Sequence, residues 1–178
     1  GSAIAAGDVV LGLASSGLHS NGFSLVRKVV FDIAGHALAD FVPALGRSVE
    51  DELLEPTRIY ARPVRHILNH YKVKNVVHGI AHITGGGLHE NLERIVPENC
   101  RVLIDRDSWP RPAVFDWLQN LGEIDDAEMQ RVFNMGIGLA LVVSSYYAES
   151  ILAQLADLGV PAWNIGRVES GRRAVAWA

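Results

Sequence analysis

The chain has 178 residues, 49% hydrophobic and 20% charged, with a net charge of −4 and a single cysteine, Cys100. That length points to one domain spanning 1–178, and the mix excludes disorder along most of the chain. No basic stretch accumulates, which argues against a nucleic-acid partner, and a lone thiol forms neither an internal disulfide nor a cysteine zinc cluster, as expected in a reducing, cytoplasmic compartment.

In chain order, DVVLGLA at 8–14 is a short branched apolar run and reads as a buried strand. A helix is expected over NGFSLVRKVVFDIAG, with Phe23, Val26, Val30 and Ile33 on one face and Gly35 at its end. Residues 36–47 lack periodicity and read as a loop with short turns. A helix follows Pro56, delayed or kinked by Pro63. KNVVHGIAHIT is a strand, GGGLHENLERIV a turn and helix, CRVLID a strand, and RPAVFDWLQNLG a helix opened by Pro112 and closed by Gly122. DDAEMQRVF is a short helix with acids at its positive end. GIGLALVV is a strand, and SSYYAESILAQLADLG a helix capped by Ser144 or Ser145 and ended by Gly159. AWNIGRVE and RRAVAWA, separated by Ser170-Gly171, read as a closing hairpin.

Strands and helices alternate throughout. The fold expected is α/β, or closely mixed α+β: a layered α/β/α domain around one mixed β-sheet. The longest nearly uncharged apolar run, VFNMGIGLALVV, has 12 residues and is too short to span a bilayer, so no membrane association is expected. No basic region followed by an apolar segment opens the chain, so no signal peptide is expected. Gly1-Ser2 resembles the remnant of a cleaved tag, with a native Gly-Ser the alternative.

Three strand–glycine–helix junctions offer chemistry. In LASSGLHSNGFSLV, small polar residues lead into a helix, a setting that suits a phosphate, with His19 and Asn21 able to add directed hydrogen bonds. The alternative is that Ser20 or Asn21 simply caps the helix. In IAHITGGGLHENLERI, three consecutive glycines are costly in backbone entropy and suit a sharp turn or a close approach by an anion. The run lacks the GK[ST] ending of a P-loop and is not GxGxxG, so it specifies neither ATP nor NAD. His82 precedes it in a strand expected to be buried, where a satisfied core histidine competes with a catalytic one; His89 and Glu90 read as solvated. In FNMGIGLALVV, Asn134, Gly136 and Gly138 form a tight strand entry, with packing the default reading.

Other chemistries find little support. His66 and His70 share a helical face, yet no HExxH or carboxylate partner completes a zinc site, and no metal site is assigned. GxSxG is absent. The four tryptophans are scattered and form no stacking platform.

GLASSGLHSNGFSLVRKV, LLEPTRIYARPV, AHITGGGLHENLERI, WLQNLG and FNMGIG occur in this order across nearly the whole chain. Together they resemble the C-terminal half of the phosphoribosylformylglycinamidine cyclo-ligase (aminoimidazole ribonucleotide synthetase) family. The nearest confusions are other superfamily members: formylglycinamidine synthase, selenophosphate synthetase, thiamine-monophosphate kinase and the hydrogenase maturation protein. A non-catalytic binding or assembly module is the alternative from another class.

The resemblance implies an ATP-dependent ring closure of formylglycinamidine ribonucleotide to aminoimidazole ribonucleotide in purine biosynthesis. It implies that ATP and Mg²⁺ are held mainly by an N-terminal half outside this chain, that the full-length enzyme is a homodimer, and that the isolated C-terminal half is inactive. It implies catalytic positions at His19, Asn21 and His82, and substrate- or phosphate-binding positions at Ser20, Gly22, Thr84, Gly85, Gly86 and Gly87. One departure is Met135, where many relatives carry cysteine; a thioether cannot act as a thiolate, so no covalent chemistry is assigned there.

Overall fold

The computed structural model describes residues 1–178. Strands β1 (Asp8–Ala14), β4 (Val77–His82), β5 (Cys100–Ile104), β6 (Ile137–Ser144), β7 (Ala162–Ser170) and β8 (Ala174–Trp177) form one six-stranded sheet in the order β4-β6-β1-β7-β5-β8. Every pairing is antiparallel except β5 with β8, so the sheet is mixed, as expected. The central strand β1 is buried on both faces because its apolar run is continuous. Val10 points to the face covered by α4 (Gly87–Glu93), while Leu11 and Leu13 point to the face covered by α3 (Ala61–His70) and α7 (Ala148–Asp157). Helices on both faces make the α/β/α layering. A third apolar cluster joins α1 (Phe23–Arg27), α5 (Ala113–Gly122) and α6 (Asp126–Val132) around Phe115 and Phe133. No helix is long and apolar enough to cross a membrane.

Four local expectations are corrected. The closing hairpin does not form, because β5 lies between β7 and β8. The connecting residues turn across the start of β5: Gly171 N–H donates to Asn99 O at 3.1 Å and Arg173 N–H to Glu98 O at 3.0 Å. Strand β5, with Val102 and Ile104 fully buried, thereby gains a partner on each edge.

The first helix is regular only over α1 and then widens into π-type turns over Lys28–Ile33, which rotate Ile33 off the buried face to 58% exposure. The stretch expected as loop holds a two-stranded ribbon, β2 (Phe41–Val42) with β3 (Arg47–Ser48). It runs into α2 (Val49–Leu53), where the Ser48 hydroxyl accepts from Asp51 N–H at 3.1 Å. Finally, neither Ser144 nor Ser145 caps α7 through its side chain; a 3₁₀ turn over Ser145–Tyr147 leads into it.

Candidate functional site

Strands β1 and β4 are both antiparallel to β6, so they run the same way and their C-terminal ends lie at one end of the sheet. The start of β6 lies between them. Ser15 N–H donates to Gly136 O at 2.8 Å on one side, and Ile83 N–H donates to Gly138 O at 3.0 Å on the other. Asn134 ties the group together: its Nδ2 donates to Gly17 O at 2.8 Å, and its Oδ1 accepts from Gly136 N–H at 2.8 Å. All three glycine-rich junctions therefore meet at one sheet end. Asn134 is 1% exposed and points inward, so it organises the turn and does not open onto a cleft.

Across this end lies an extended strap, residues 56–60, that enters α3. Its hydrogen bonds across this end go to the first junction. Ser16 Oγ donates to Pro56 O at 2.6 Å, Ser20 Oγ and Thr57 Oγ1 share a bond at 3.2 Å, and Tyr60 Oη donates to Ala14 O at 2.7 Å. The Tyr60 ring sits 6.1 Å from that of His19 and 6.2 Å from that of His82. Space for this arrangement exists because position 138 is glycine. A Cβ there would overlap the Tyr60 hydroxyl and His19 Cε1.

His19 is 6% exposed and sits at φ 58, a left-handed conformation rare for a non-glycine residue. Its Nε2 accepts from Ser16 N–H at 3.1 Å and faces Arg58 N–H at 3.5 Å. An accepting Nε2 places the proton on Nδ1, which is buried without a partner. Burial first, then the neighbouring His82 and Arg58, hold its pKa down at about 4, so the imidazole is neutral at pH 7. Burial likewise raises the Tyr60 phenol above the ordinary tyrosine range. His82, by contrast, is exposed. The expectation of a buried strand around it is corrected: β4 is an edge strand, and His82 is its last residue.

The other expected residues take varied places. Asn21 and Gly22 are half-buried. Gly22, at φ 73, is the residue that precedes α1, and no side chain caps that helix, so neither Ser20 nor Asn21 serves as a cap. In the glycine triplet, Gly86 N–H donates to Arg131 O at 3.0 Å and Gly87 N–H to Thr84 O at 3.1 Å, whereas Gly85 N–H makes no bond within the chain. A Cβ at Gly87 would overlap the Gln130 carbonyl; around Gly85 there is open space. The loop is gathered by buried Asn91, whose Nδ2 faces the carbonyls of Thr84, Gly85 and Gly87 at 3.3, 3.3 and 2.7 Å, while Thr84 Oγ1 donates to its Oδ1 at 3.3 Å. Asn91, Tyr60 and Arg58 were missed by reading motifs one at a time. The signal available for two of them was the PTRIY segment, and for Asn91 its position one turn into the helix after the triplet.

Met135 is buried at 4% exposure and φ 51, and its carbonyl accepts from the Trp109 indole at 3.0 Å. His66 and His70 are exposed on α3, away from this end. No group of three or more His, Cys, Asp or Glu side chains is placed to hold a metal ion. A cleft of about 380 Å³ lies beyond α4, lined by His89, Glu90, Arg106 and Arg131 among others; its arginines are paired with Asp126 and Glu128, and it includes neither His19 nor His82.

The fold has close counterparts. Thiamine-monophosphate kinase from Stenotrophomonas maltophilia superposes with a TM-score of 0.65 at 19% identity, covering 97% of this chain and 50% of that one. A hydrogenase maturation protein, HypE, superposes at 0.62 and 21% identity, covering 99% and 51%. At these identities the likeness concerns the fold alone. In sequence, the chain is 51% identical over 176 residues to a phosphoribosylformylglycinamidine cyclo-ligase of Burkholderia mallei, covering 99% of this chain and 48% of that protein. It is 48% identical over 168 residues to one of Geotalea daltonii, covering 94% and 47%. The chain thus spans about half the length of the curated relatives it matches. Residues 5–178 match the family described as AIR synthase related protein, C-terminal domain, and the chain belongs to that family.

Proposed function

We propose that residues 1–178 form one domain, the C-terminal, substrate-side half of a phosphoribosylformylglycinamidine cyclo-ligase. The observation that carries this reading is the meeting of the HSNG and TGGG junctions at one sheet end, with His19 and His82 either side of Tyr60. Identity near 50% to proteins bearing that name supports the choice of chemistry.

In this reading the substrate is formylglycinamidine ribonucleotide. Its amide oxygen is activated by phosphoryl transfer from ATP, and its own amine then attacks the same carbon and expels phosphate. Ring closure is intramolecular, so catalysis rests largely on positioning. His19, neutral and fixed as the Nδ1–H tautomer, locks the strap against the first junction. His82, open to solvent at the end of β4, takes the proton released by the attacking amine. Asn21, Ser20 and Gly22 on one side, with Thr84, Gly85, Gly86 and Gly87 on the other, line the substrate; within the triplet the free Gly85 N–H is the donor available to it. ATP and Mg²⁺ belong mainly to the N-terminal half, as does most of the contact of the homodimer. No step here is assigned to the metal.

The test is complementation. This chain, mixed with the N-terminal half of the Burkholderia mallei relative, is expected to form aminoimidazole ribonucleotide from substrate and ATP, and neither half alone is expected to do so. His82→Gln should lower turnover by about 100-fold or more, within the range of general acid–base catalysis. Absence of product from the properly folded pair would overturn the reading.

A further inference from the structure

The strap carries a cation that nothing in the chain neutralises. Arg58 is half-buried, and its Nε is buried with no hydrogen-bond partner. The other half-buried arginines each have a carboxylate within ion-pair distance. Arg47 pairs with Glu52 and Glu55 at 2.7 and 2.9 Å, and Arg111 pairs with Asp116 at 2.9 Å. Arg58 has no carboxylate partner. An unpaired guanidinium half withdrawn from water is costly unless something completes its bonding.

Its surroundings say what that partner is. Arg58 stands on the strap between Thr57, which bonds Ser20, and Tyr60, which bonds Ala14. Its backbone N–H faces His19 Nε2 at 3.5 Å. Its positive charge contributes to the lowered pKa of His19. The side chains gathered around Arg58 are imidazoles, hydroxyls and a phenol, and the carboxylate at this junction, Glu52 beside Gly17, is already paired with Arg47. Such a set attracts an anion with several acceptor oxygens, and the planar fork of arginine fits a phosphate through two parallel bonds.

We propose that Arg58 is a phosphate-binding residue of this site, engaging the phosphoryl oxygens of a phosphorylated ligand beside the HSNG junction. For its ligand class this rests on the reading above, which offers two sources of the same chemistry: the phosphate ester of the ribonucleotide, and the phosphate transferred and released in the reaction.

The experiment titrates inorganic phosphate, ribose 5-phosphate and tripolyphosphate into the chain by calorimetry, and follows the ring signals of His19 and His82 by NMR. Variants are Arg58→Gln, Arg58→Lys and, as a control on the exposed face of α3, Arg62→Gln. Wild type is expected to bind with shifts at both histidines. Arg58→Gln should weaken binding by about 10- to 100-fold, the loss of one or two charge-assisted bonds. Arg58→Lys should fall between, and Arg62→Gln should match wild type. Preference for ribose 5-phosphate assigns the ester; preference for tripolyphosphate assigns the transferred group.

The proposal falls if no probe binds wild type, if Arg58→Gln binds as wild type does, or if Arg62→Gln loses as much as Arg58→Gln. Should Arg58→Gln melt without cooperativity, Arg58→Lys decides: unchanged affinity and unchanged histidine shifts overturn it. Complementation separates the two readings. Product formed with an unchanged KM in Arg58→Lys sinks the role of Arg58 alone, whereas Arg58-dependent phosphate binding without product sinks the cyclo-ligase reading alone.

Discussion

Asn134 and Gly17 lie 117 residues apart in sequence, yet the amide of one donates to the carbonyl of the other at 2.8 Å inside the core. The bond joins the entry of β6 to the loop that follows β1, and the same side chain holds Gly136 N–H at 2.8 Å. Its removal should therefore be felt in the shape of the whole sheet end. Asn134→Ala leaves two buried backbone groups unpaired and is expected to cost about 2–4 kcal/mol. The denaturant midpoint measures it, and a loss under about 0.5 kcal/mol, the range of an ordinary surface change, would show that the clamp is dispensable.

The strap should be separable from the core. Tyr60→Phe keeps the ring between His19 and His82 and removes only the bond to Ala14 O. A stability loss of about 1–2 kcal/mol is expected, with the His19 and His82 signals little moved. Tyr60→Ala empties the space between the two rings and should disperse both signals. Identical histidine spectra in the two variants would count against a positioning role for the ring.

His19 makes stability depend on pH in a definite window. Its pKa is 6.5 unfolded and about 4 folded. Above 6.5 both states are neutral there, and its contribution is fully present. As pH falls from 6.5 toward 4 the unfolded chain takes up a proton that the folded chain refuses, so stability is lost; below 4 the loss is complete. Allowing for solvent screening at this open sheet end, the loss is at most about 2 kcal/mol. His19→Asn, a residue at ease at positive φ, removes the titrating group. The difference in unfolding free energy between wild type and this variant should slope between pH 4 and 6.5 and be flat from 6.5 to 8. Parallel curves across the lower window would show that His19 does not resist protonation.

Two glycines at this end should respond in opposite ways. Gly138→Ala pushes a methyl group into the Tyr60 hydroxyl and His19 Cε1 and is expected to cost about 1–3 kcal/mol. At Gly85 nothing lies within 4 Å of an added Cβ, so Gly85→Ala should stay within about 0.5 kcal/mol of wild type. If ligand approaches the backbone there, the same variant should weaken binding of ribose 5-phosphate. Thermal melts and titration of both variants check this; a stable Gly138→Ala would mean the strap moves freely.

Much of this protein is set by its local sequence. Continuous branched runs such as DVVLGLA and GIGLALVV become strands buried on both faces because no polar side chain interrupts them. Glycine and proline mark nearly every junction, and five collinear motifs were enough to indicate the family that the match over residues 5–178 then established. Pairing was not legible, because it depends on partners distant in the chain. Val102 and Ile104 draw β5 between β7 and β8, overriding the short Ser170-Gly171 connection that reads locally as a hairpin. The same limit hid the site's organisers. Motif reading picks out His19 and His82, but only the tertiary structure decides that one is buried and neutral and the other exposed at an edge. Only it brings Tyr60 between them, and only it leaves Arg58 without a carboxylate, since burial and charge pairing belong to the packed chain and not to any one stretch of it.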